Sequence, residues 1–151
     1  MWYSMFMVES IDGSDEAIES LNGRLWDAQD RIYFGDDAVD KEGFQHDCTK
    51  YIVAKDDEVI VGVLQLNITN GVGEVHSVIV EPEHRGEGVG KRLFTELDKI
   101  ARSEGLHYVW LETREDWSEA TSLYEAFGYK LTQRLPVYCY GLEWIRMGKQ
   151  L

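Results

Sequence analysis

The stretch HRGEGVGKRLF, at residues 84–94, combines three glycines at alternate positions with cationic side chains on both sides. Arg85 precedes the glycines, and Lys91 and Arg92 follow them. Glycines let a backbone approach an anion closely, and the first amides of a helix point at that anion and add the favourable potential of the helix dipole. The pattern therefore predicts a loop that binds phosphate where a helix begins.

The spacing of these residues excludes two common classes of phosphate loop. The Walker pattern GxxxxGK, followed by Ser or Thr, fails because Arg85 stands at its first glycine and Arg92 follows Lys91. The dinucleotide pattern GxGxxG fails because Lys91 and Leu93 stand where its third glycine is needed. Neither a nucleotidase of the Walker type nor a Rossmann dehydrogenase is supported. The pattern RxxGxG that starts at Arg85 remains.

The composition limits the partners and the setting of the chain. It has 151 residues, 44% of them hydrophobic, and a formal net charge of −13. This length predicts one domain, residues 1–151, and the excess acid argues against nucleic acid and anionic membranes, which favour basic patches. No apolar run is long enough for a membrane span, and the start MWYSMFMVES reads as a strand rather than a targeting segment. Cys48 and Cys139 have no metal-type spacing, so we expect no metal and a reducing, cytoplasmic setting.

Hydrophobic periodicity predicts the elements that must position the loop. Strands are predicted at 2–9, 49–55, 59–68, 74–80, 107–113, 129–135 and 141–147, helices at 14–34, 89–104 and 118–127, and a polar loop or broken helix at 35–47. The phosphate loop thus joins the strand at 74–80 to the second helix. The order β-α-β-β-β-α-β-α-β-β predicts an α/β chain with a mixed sheet and helices on its faces, and its three consecutive strands exclude a regular doubly wound repeat.

The segment EVHSVIVEPEHRGEGVGKRLFTELDKIA resembles the acetyl-CoA motif of the GNAT superfamily of N-acetyltransferases. The likeness includes Val78-x-Val80 and Pro82 before the loop, the loop itself, and Leu93 on the helix. A second stretch, ATSLYEAFGYK at 120–130, resembles the second signature of the family. The resemblance implies a GNAT-like fold, whose central mixed, mostly antiparallel sheet of about seven strands is flanked by helices and splayed at the CoA-binding strand. It also implies acetyl transfer from acetyl-CoA to a primary amine, and it allows a homodimer.

The resemblance implies a set of donor-binding residues. Backbone groups of Val78 and Val80, on the splayed strand, would pair with the acetyl carbonyl and the pantetheine amides. Trp117 stands where many members carry an Asn that contacts pantetheine. Ser118 could replace that contact. Alternatively, Trp117 could pack on the pantetheine arm, gate the acceptor tunnel, or act as a hydrophobic staple beside a Ser118 cap. The residues placed around the pyrophosphate are Arg85, Gly86, Gly88, Val89, Gly90 and Lys91.

The reaction needs a base, because an alkyl amine with a pKa near ~10 is protonated at neutral pH. Glu74 occupies the position of the catalytic glutamate in some members, and His76 or a water relay could serve instead. On a regular strand Glu74, His76, Val78 and Val80 would share a face. The Val78 amide is the candidate donor to the oxyanion. Tyr124 resembles the general acid of the family, since a phenol of pKa ~10 can donate to a thiolate of ~8.5; otherwise it is a packed aromatic.

The candidates for binding the acceptor lie near the first helix and in the last strand pair. Acids mixed with aromatics near the first helix and in the last strand pair would suit a small cationic amine, but they would equally serve as ordinary surface acids and core aromatics. PVYCYGLEWIRM faintly resembles the final hairpin of enzymes that acetylate protein N-termini, so a peptide N-terminus or lysine is the alternative acceptor. A catalytically silent acyl-CoA-binding sensor is the alternative of another class. The acceptor candidates are Trp26, Asp27, Asp30, Tyr33, Phe34, Asp36, Asp37, Tyr138, Tyr140, Glu143 and Trp144.

Overall fold

The computed structural model describes residues 6–12, 48–135 and 143–151. Their strands are β1 Met7–Asp12, β2 Cys48–Asp56, β3 Val59–Thr69, β4 Val72–Val80, β5 Tyr108–Arg114, β6 Lys130–Arg134 and β7 Trp144–Gln150. Their helices are α1 Val89–Ser103 and α2 Ser118–Ala126, and the 3-10 turn Pro82–His84 lies between β4 and α1. The helix predicted at 14–34 and the loop at 35–47 lie outside the described residues.

The seven strands form one sheet in the order β1-β2-β3-β4-β5-β7-β6. Neighbouring strands run antiparallel everywhere except between β4 and β5, which run parallel. The mixed, mostly antiparallel sheet is thereby confirmed. The two final strands pair as predicted, but β7 lies inside the sheet, between β5 and β6.

Tight turns join the consecutive strands β2, β3 and β4. Asp57 has a φ of 53° in the first turn, and Asn70 and Gly71 have φ values of 50° and 74° in the second. Asn-Gly is the residue pair that two-residue hairpins favour, because both positions need positive φ. The turn returns the chain at once, so β4 begins at Val72 rather than at the predicted residue 74.

Both helices pack on one face of the sheet, which we call the helical face. Helical spacing brings a buried stripe of α1 onto the sheet: Val89, Leu93, Leu97 and Ile100. This stripe belongs to a core with the strand residues Ile52, Leu64, Leu66, Val75, Leu111 and Met147, and α2 adds Leu123, Tyr124 and Phe127 at its edge. None of the helices among the described residues is long and apolar enough to cross a membrane.

Candidate active site

The parallel strands β4 and β5 separate half-way along their length. They pair only between Val72–Val75 and Tyr108–Leu111. Beyond these residues β4 continues to Val80 and β5 to Arg114, while β4 stays paired with β3 as far as Val80. A gap therefore opens between the carboxyl-terminal halves of the two strands, which confirms the predicted splay.

Backbone groups of Val78 and Val80 point into this gap. The amide of Glu81 donates to the carbonyl of Val61 at 2.8 Å, which fixes the phase of the ladder between β3 and β4. Hydrogen-bonded and non-hydrogen-bonded pairs alternate along an antiparallel ladder, so Val80 and Val78 direct their amides and carbonyls away from β3. The side chain of Arg85 agrees with this phase, because its Nε donates to the Val80 carbonyl at 3.3 Å. The gap thus offers main-chain donors and acceptors to a ligand.

The glycine loop ends in a helix start that has no side-chain cap. Gly88 is the N-cap of α1, with a φ of 83°, and its carbonyl accepts the amide of Arg92 at 3.2 Å. The amides of Val89, Gly90 and Lys91 precede this first helical bond, so the helix itself supplies no acceptor for them. Because the N-cap is glycine, no side-chain oxygen competes for these amides. The first turn is arranged to bind an anion.

The space around the loop fits a ligand in close contact with the backbone. Gly86 and Gly88 have φ values of 78° and 83°, and a Cβ at either position would meet no atom within 4 Å. The positive φ therefore requires glycine at both positions, and the space around each residue is open. Arg85 and Lys91 are exposed beside them, while Glu87 of the same loop pairs with His84 Nδ1 at 3.0 Å.

A bulge in β4 changes which of its side chains share a face. Val75 opposes Leu66 and Ser77 opposes Gln65, so His76 is an extra residue without an opposite partner on β3. The alternation of side chains between the two faces of the sheet is interrupted at this residue. Beyond the bulge, each side chain lies on the face opposite to the one that a regular strand would give it. The expectation that Glu74, His76, Val78 and Val80 would share one face of a regular strand is therefore wrong.

The bulge separates the base candidates from the donor-binding valines. Val78 opposes Leu64 and Glu74 opposes Asn67. Leu64 and Asn67 are an odd number of positions apart on β3, so their side chains, and those of their partners, point to opposite faces. Val78 therefore faces the helices, whereas Glu74 lies on the other side of the sheet, which we call the opposite face.

Glu74 and His76 form a pair at the base of the gap. His76 Nδ1 lies 3.4 Å from Glu74 Oε1, and the two side chains are 35% and 25% exposed. Both groups are thus accessible enough to exchange protons with a ligand or water. On the next strands the pair adjoins Asn67 of β3 and Trp110 of β5, each directly opposite Glu74.

A polar row beside Glu74 was missed by sequence reasoning. Asn67 is only 3% exposed, and its Oδ1 accepts hydrogen bonds from Thr49 Oγ1 at 3.0 Å and Gln65 Nε2 at 3.1 Å. The neighbouring Ser77 is also buried, and its hydroxyl has no hydrogen-bond partner among the described residues. The alternating polar residues of the QLN sequence in β3 were the available signal. They indicate a polar lining on the opposite face, where an apolar core would normally continue.

Tyr124 lies on α2, against the first half of α1. Its ring centroid is 5.4 Å from that of Phe94. The adjacent Leu123 reaches the first turn of α1, since a Cβ at Gly90 would lie 3.1 Å from Leu123 Cδ2. Burial raises the pKa of Tyr124 from 10.0 to about 12. The phenol therefore stays protonated at neutral pH and can act as a hydrogen-bond donor, though as a weaker acid than the sequence predicted.

Trp117 and Ser118 occupy the start of α2, with roles that differ from the predicted cap. Trp117 is itself the N-cap residue and Ser118 is the first helical residue, so Ser118 does not cap the helix. The Trp117 ring packs edge-to-face on Trp144 with centroids 5.8 Å apart, and the Arg114 guanidinium lies 5.3 Å from the Trp117 centroid. Trp117 is thus tied to the ends of β5 and β7.

Most of the acceptor candidates lie outside the described residues. Glu143 and Trp144 are described, and Trp144 is the first residue of β7. Within the described ranges, no group of three or more His, Cys, Asp or Glu side chains is placed to hold a metal ion.

The sequence matches one known family over most of its length. The profile of the Acetyltransferase (GNAT) family matches residues 16–129. The chain belongs to this family. Acetyl transfer from acetyl-CoA is general to its members, and the matched range includes the splayed strand, the glycine loop and Tyr124.

Two curated relatives in the GNAT family differ in the acceptors that their names state. The glucosamine 6-phosphate N-acetyltransferase of Trypanosoma brucei brucei is 35% identical over 75 residues, which are 48% of this chain and 49% of that protein. The match thus spans about half the length of that relative. The N-alpha-acetyltransferase RimI of Mycobacterium tuberculosis is 28% identical over 115 residues, 71% of each chain.

A solved structure of similar fold covers nearly the whole chain. The yncA protein of Salmonella typhimurium, solved with its cofactor acetyl-CoA, superposes with a TM-score of 0.71 over 95% of this chain and 94% of its own. Its sequence is 19% identical, so the likeness shows the fold alone. The seven-stranded sheet with two helices described here is thus a GNAT fold.

Proposed function

We propose that this chain transfers the acetyl group of acetyl-CoA to a primary amine. The observation that carries the proposal is the gap between β4 and β5, into which Val78 and Val80 turn their backbone groups. Backbone N–H and C=O groups that face a gap in a sheet need hydrogen-bond partners, and the amides of a pantetheine arm can supply them. The same gap leads to the uncapped first turn of α1, where a pyrophosphate would find its donors.

The residues of the loop fit CoA as the donor. The amides of Val89, Gly90 and Lys91 would bind the pyrophosphate, and the open space at Gly86 and Gly88 leaves room for its oxygens. Arg85 and Lys91 add positive charge to a chain whose net charge is −13. The acetyl-CoA bound to the structurally similar Salmonella protein supports this assignment.

The bulge divides the chemistry between the two faces of the sheet. The Val78 amide faces the gap and would donate to the oxygen of the acetyl group as negative charge develops there. The Glu74–His76 pair lies on the opposite face and would take the proton of the amine, directly or through water. The amine would therefore approach from the opposite face, while acetyl-CoA would lie against the helical face.

Tyr124 would assist departure of the CoA sulfur from the helical side. With a pKa raised to about 12, the phenol keeps its proton while the thiolate, of ordinary pKa ~8.5, leaves. A hydrogen bond from the phenol to that thiolate is therefore favoured over complete proton transfer. The retention of this tyrosine with a complete loop argues against a catalytically silent sensor.

The acceptor class rests on charge and on the curated relatives. A small, cationic amine is our first candidate, because excess acid attracts cations and because Glu74 stands at the base of the gap. The glucosamine 6-phosphate N-acetyltransferase of T. brucei brucei supports a small molecule. A peptide N-terminus is the second candidate, supported by the RimI relative, which matches over more of the chain.

The test is release of CoA from acetyl-CoA, followed with a thiol reagent and a panel of amines. The panel contains a polyamine, an amino sugar, an amino sugar phosphate, a peptide with a free N-terminus, and an N-blocked peptide with an internal lysine. Turnover that depends on one class identifies the acceptor. Tight CoA binding with only slow hydrolysis for every amine would favour the sensor, and absence of CoA binding would refute the proposed function.

A further inference from the structure

Gly62 lies beneath the start of α1, at the point where β3 meets the end of β4. A Cβ at this position would lie 2.7 Å from Val89 Cγ1 and 3.4 Å from Leu93 Cδ1. Non-bonded carbon atoms prefer separations of roughly 3.5–4.0 Å, so the contact with Val89 could not form unchanged. Gly62 has no positive φ, in contrast to Gly86 and Gly88, so its backbone would accept alanine. Space, rather than conformation, requires glycine here.

The strand neighbours of Gly62 make a shallow recess under the helix. Gly62 is opposed by Ala54 of β2 on one side and by Val80 of β4 on the other. Ala54 is fully buried, and the side chain of Val89 is only 1% exposed. Val89 is the first residue of α1 and directly follows the N-cap Gly88. The depth of this recess therefore sets how closely the first turn of α1 approaches the sheet.

We call the gap between β4 and β5, together with the first turn of α1, the donor site. These two parts of the donor site meet at Gly62. Its strand partner Val80 presents backbone groups to the gap, and the residue above it, Val89, carries one of the uncapped amides. A ligand that spans the gap and the first turn must match the distance between these two sets of groups. Displacing the first turn by a fraction of an ångström would misalign donors whose hydrogen bonds depend steeply on geometry.

We propose that Gly62 is a positioning residue for the donor site: it seats Val89 against the sheet and so holds the first turn of α1 at the distance from Val80 that CoA requires. The inference rests on the proposed function, because it assumes that CoA is the ligand of the gap and the loop. It assigns no contact with CoA to Gly62 itself. Relief of the contact with Val89 must therefore undo the effect of a side chain at residue 62.

The experiment measures the dissociation constant of CoA by calorimetry for four proteins: the unmodified chain, Gly62→Ala, Val89→Ala and the double variant. We expect Gly62→Ala to weaken CoA binding by about tenfold or more, a change well within the resolution of the method. The double variant should bind CoA within about threefold of Val89→Ala alone, because the shortened side chain makes room for the new methyl group. The KM for the acceptor should not change in Gly62→Ala.

Gly73→Ala is the matched control. A Cβ at Gly73 would also be crowded, at 3.0 Å from Leu106 Cδ1 and Leu66 Cδ1, but Leu106 lies beyond the other end of α1. We expect this variant to lose thermal stability, as Gly62→Ala does, and to keep its affinity for CoA. Leu93→Ala placed in the Gly62→Ala background is a second control, since its 3.4 Å contact is ordinary and its removal should not restore CoA binding.

Each outcome decides for or against the inference. Wild-type affinity in Gly62→Ala would overturn it, as would a double variant that fails to fold or that folds without regaining affinity. If Gly62→Ala fails to fold, recovery of folding and CoA binding in the double variant supports the role of the Val89 contact. Failure of the unmodified chain to bind CoA refutes the proposed function instead, so the two failures are distinguishable.

Discussion

The Nε atom of Arg85 donates a 3.3 Å hydrogen bond to the carbonyl of Val80, so a side chain of the glycine loop closes onto a backbone group that faces the gap. This bond joins the strand β4 to the glycine loop, the two parts of the chain to which we assign CoA binding. A pantetheine amide that pairs with this carbonyl must share or replace the Arg85 bond. In the proposed complex with CoA, Arg85 would then turn towards the pyrophosphate.

Arg85→Ala should raise the KM for acetyl-CoA and leave kcat nearly unchanged. A hydrogen bond to a charged group contributes about 1.5–3 kcal/mol, which corresponds to a loss of affinity of roughly ten- to a hundredfold. Steady-state kinetics with varied acetyl-CoA checks this. Arg134→Ala is the control, because Arg134 is an exposed arginine of β6 paired with Glu115. Equal KM values in the two variants would contradict the role of Arg85.

Glu74→Gln and His76→Gln should change the acidic limb of the pH–rate profile. Their side chains lie 3.4 Å apart at the base of the gap, where either one could take the proton of the amine, so the variant that removes the base should alter this limb. A positioned base contributes about 10²–10⁴-fold to rate, and we expect a loss in this range for the variant that removes it. Glu58→Gln, in the turn between β2 and β3, is the control. Retention of the wild-type limb in both variants would leave a water relay as the base.

The sequence predicted the elements of the donor site because they depend on local signals. The glycines of the loop and the apolar stripe of α1 each act within a few residues, and the loop and the helix form as predicted. The splay and the gap-facing groups of Val78 and Val80 were correctly implied by the family resemblance. The pairing of these groups with CoA stays a prediction.

The remaining features depend on how distant segments meet. The extra residue in β4 is defined by its register against β3, so the position of Glu74 on the opposite face could not follow from strand alternation alone. The insertion of β7 between β5 and β6 is likewise a matter of non-local pairing. The need for glycine at residue 62 arises from Val89, which is 27 positions away in the chain.

Tyr124→Phe should lower kcat and leave the affinity for CoA unchanged. In the proposed reaction the phenol would donate its hydrogen bond as charge develops on the leaving sulfur, so its loss should affect the transition state more than binding. Kinetics combined with calorimetric binding of CoA separates the two quantities. Unchanged kcat would remove the acid role.

The pH dependence gives a further check on Tyr124. Because burial raises its pKa to about 12, ionisation of this phenol cannot produce an alkaline limb near pH 10. If the pH–rate profile of the wild type has an alkaline limb at or below about pH 10, that limb should therefore persist in Tyr124→Phe. Its disappearance in the variant would show that the phenol ionises far more readily than its buried position implies.

Tyr129→Phe should make the fold less sensitive to alkaline pH. Burial, with smaller contributions from Asp98 and Tyr124, raises the pKa of Tyr129 above its ordinary value of 10.0. The unfolded chain then loses this proton at lower pH than the folded chain, so the stabilisation is complete below pH 10.0 and is lost as pH rises above it. The Tyr129 hydroxyl is buried and has no hydrogen-bond partner among the described residues, so its removal should not lower stability at pH 7. Urea unfolding at pH 7 and above pH 10 measures both effects, and an equal loss of stability with pH in the variant and the wild type would contradict the argument.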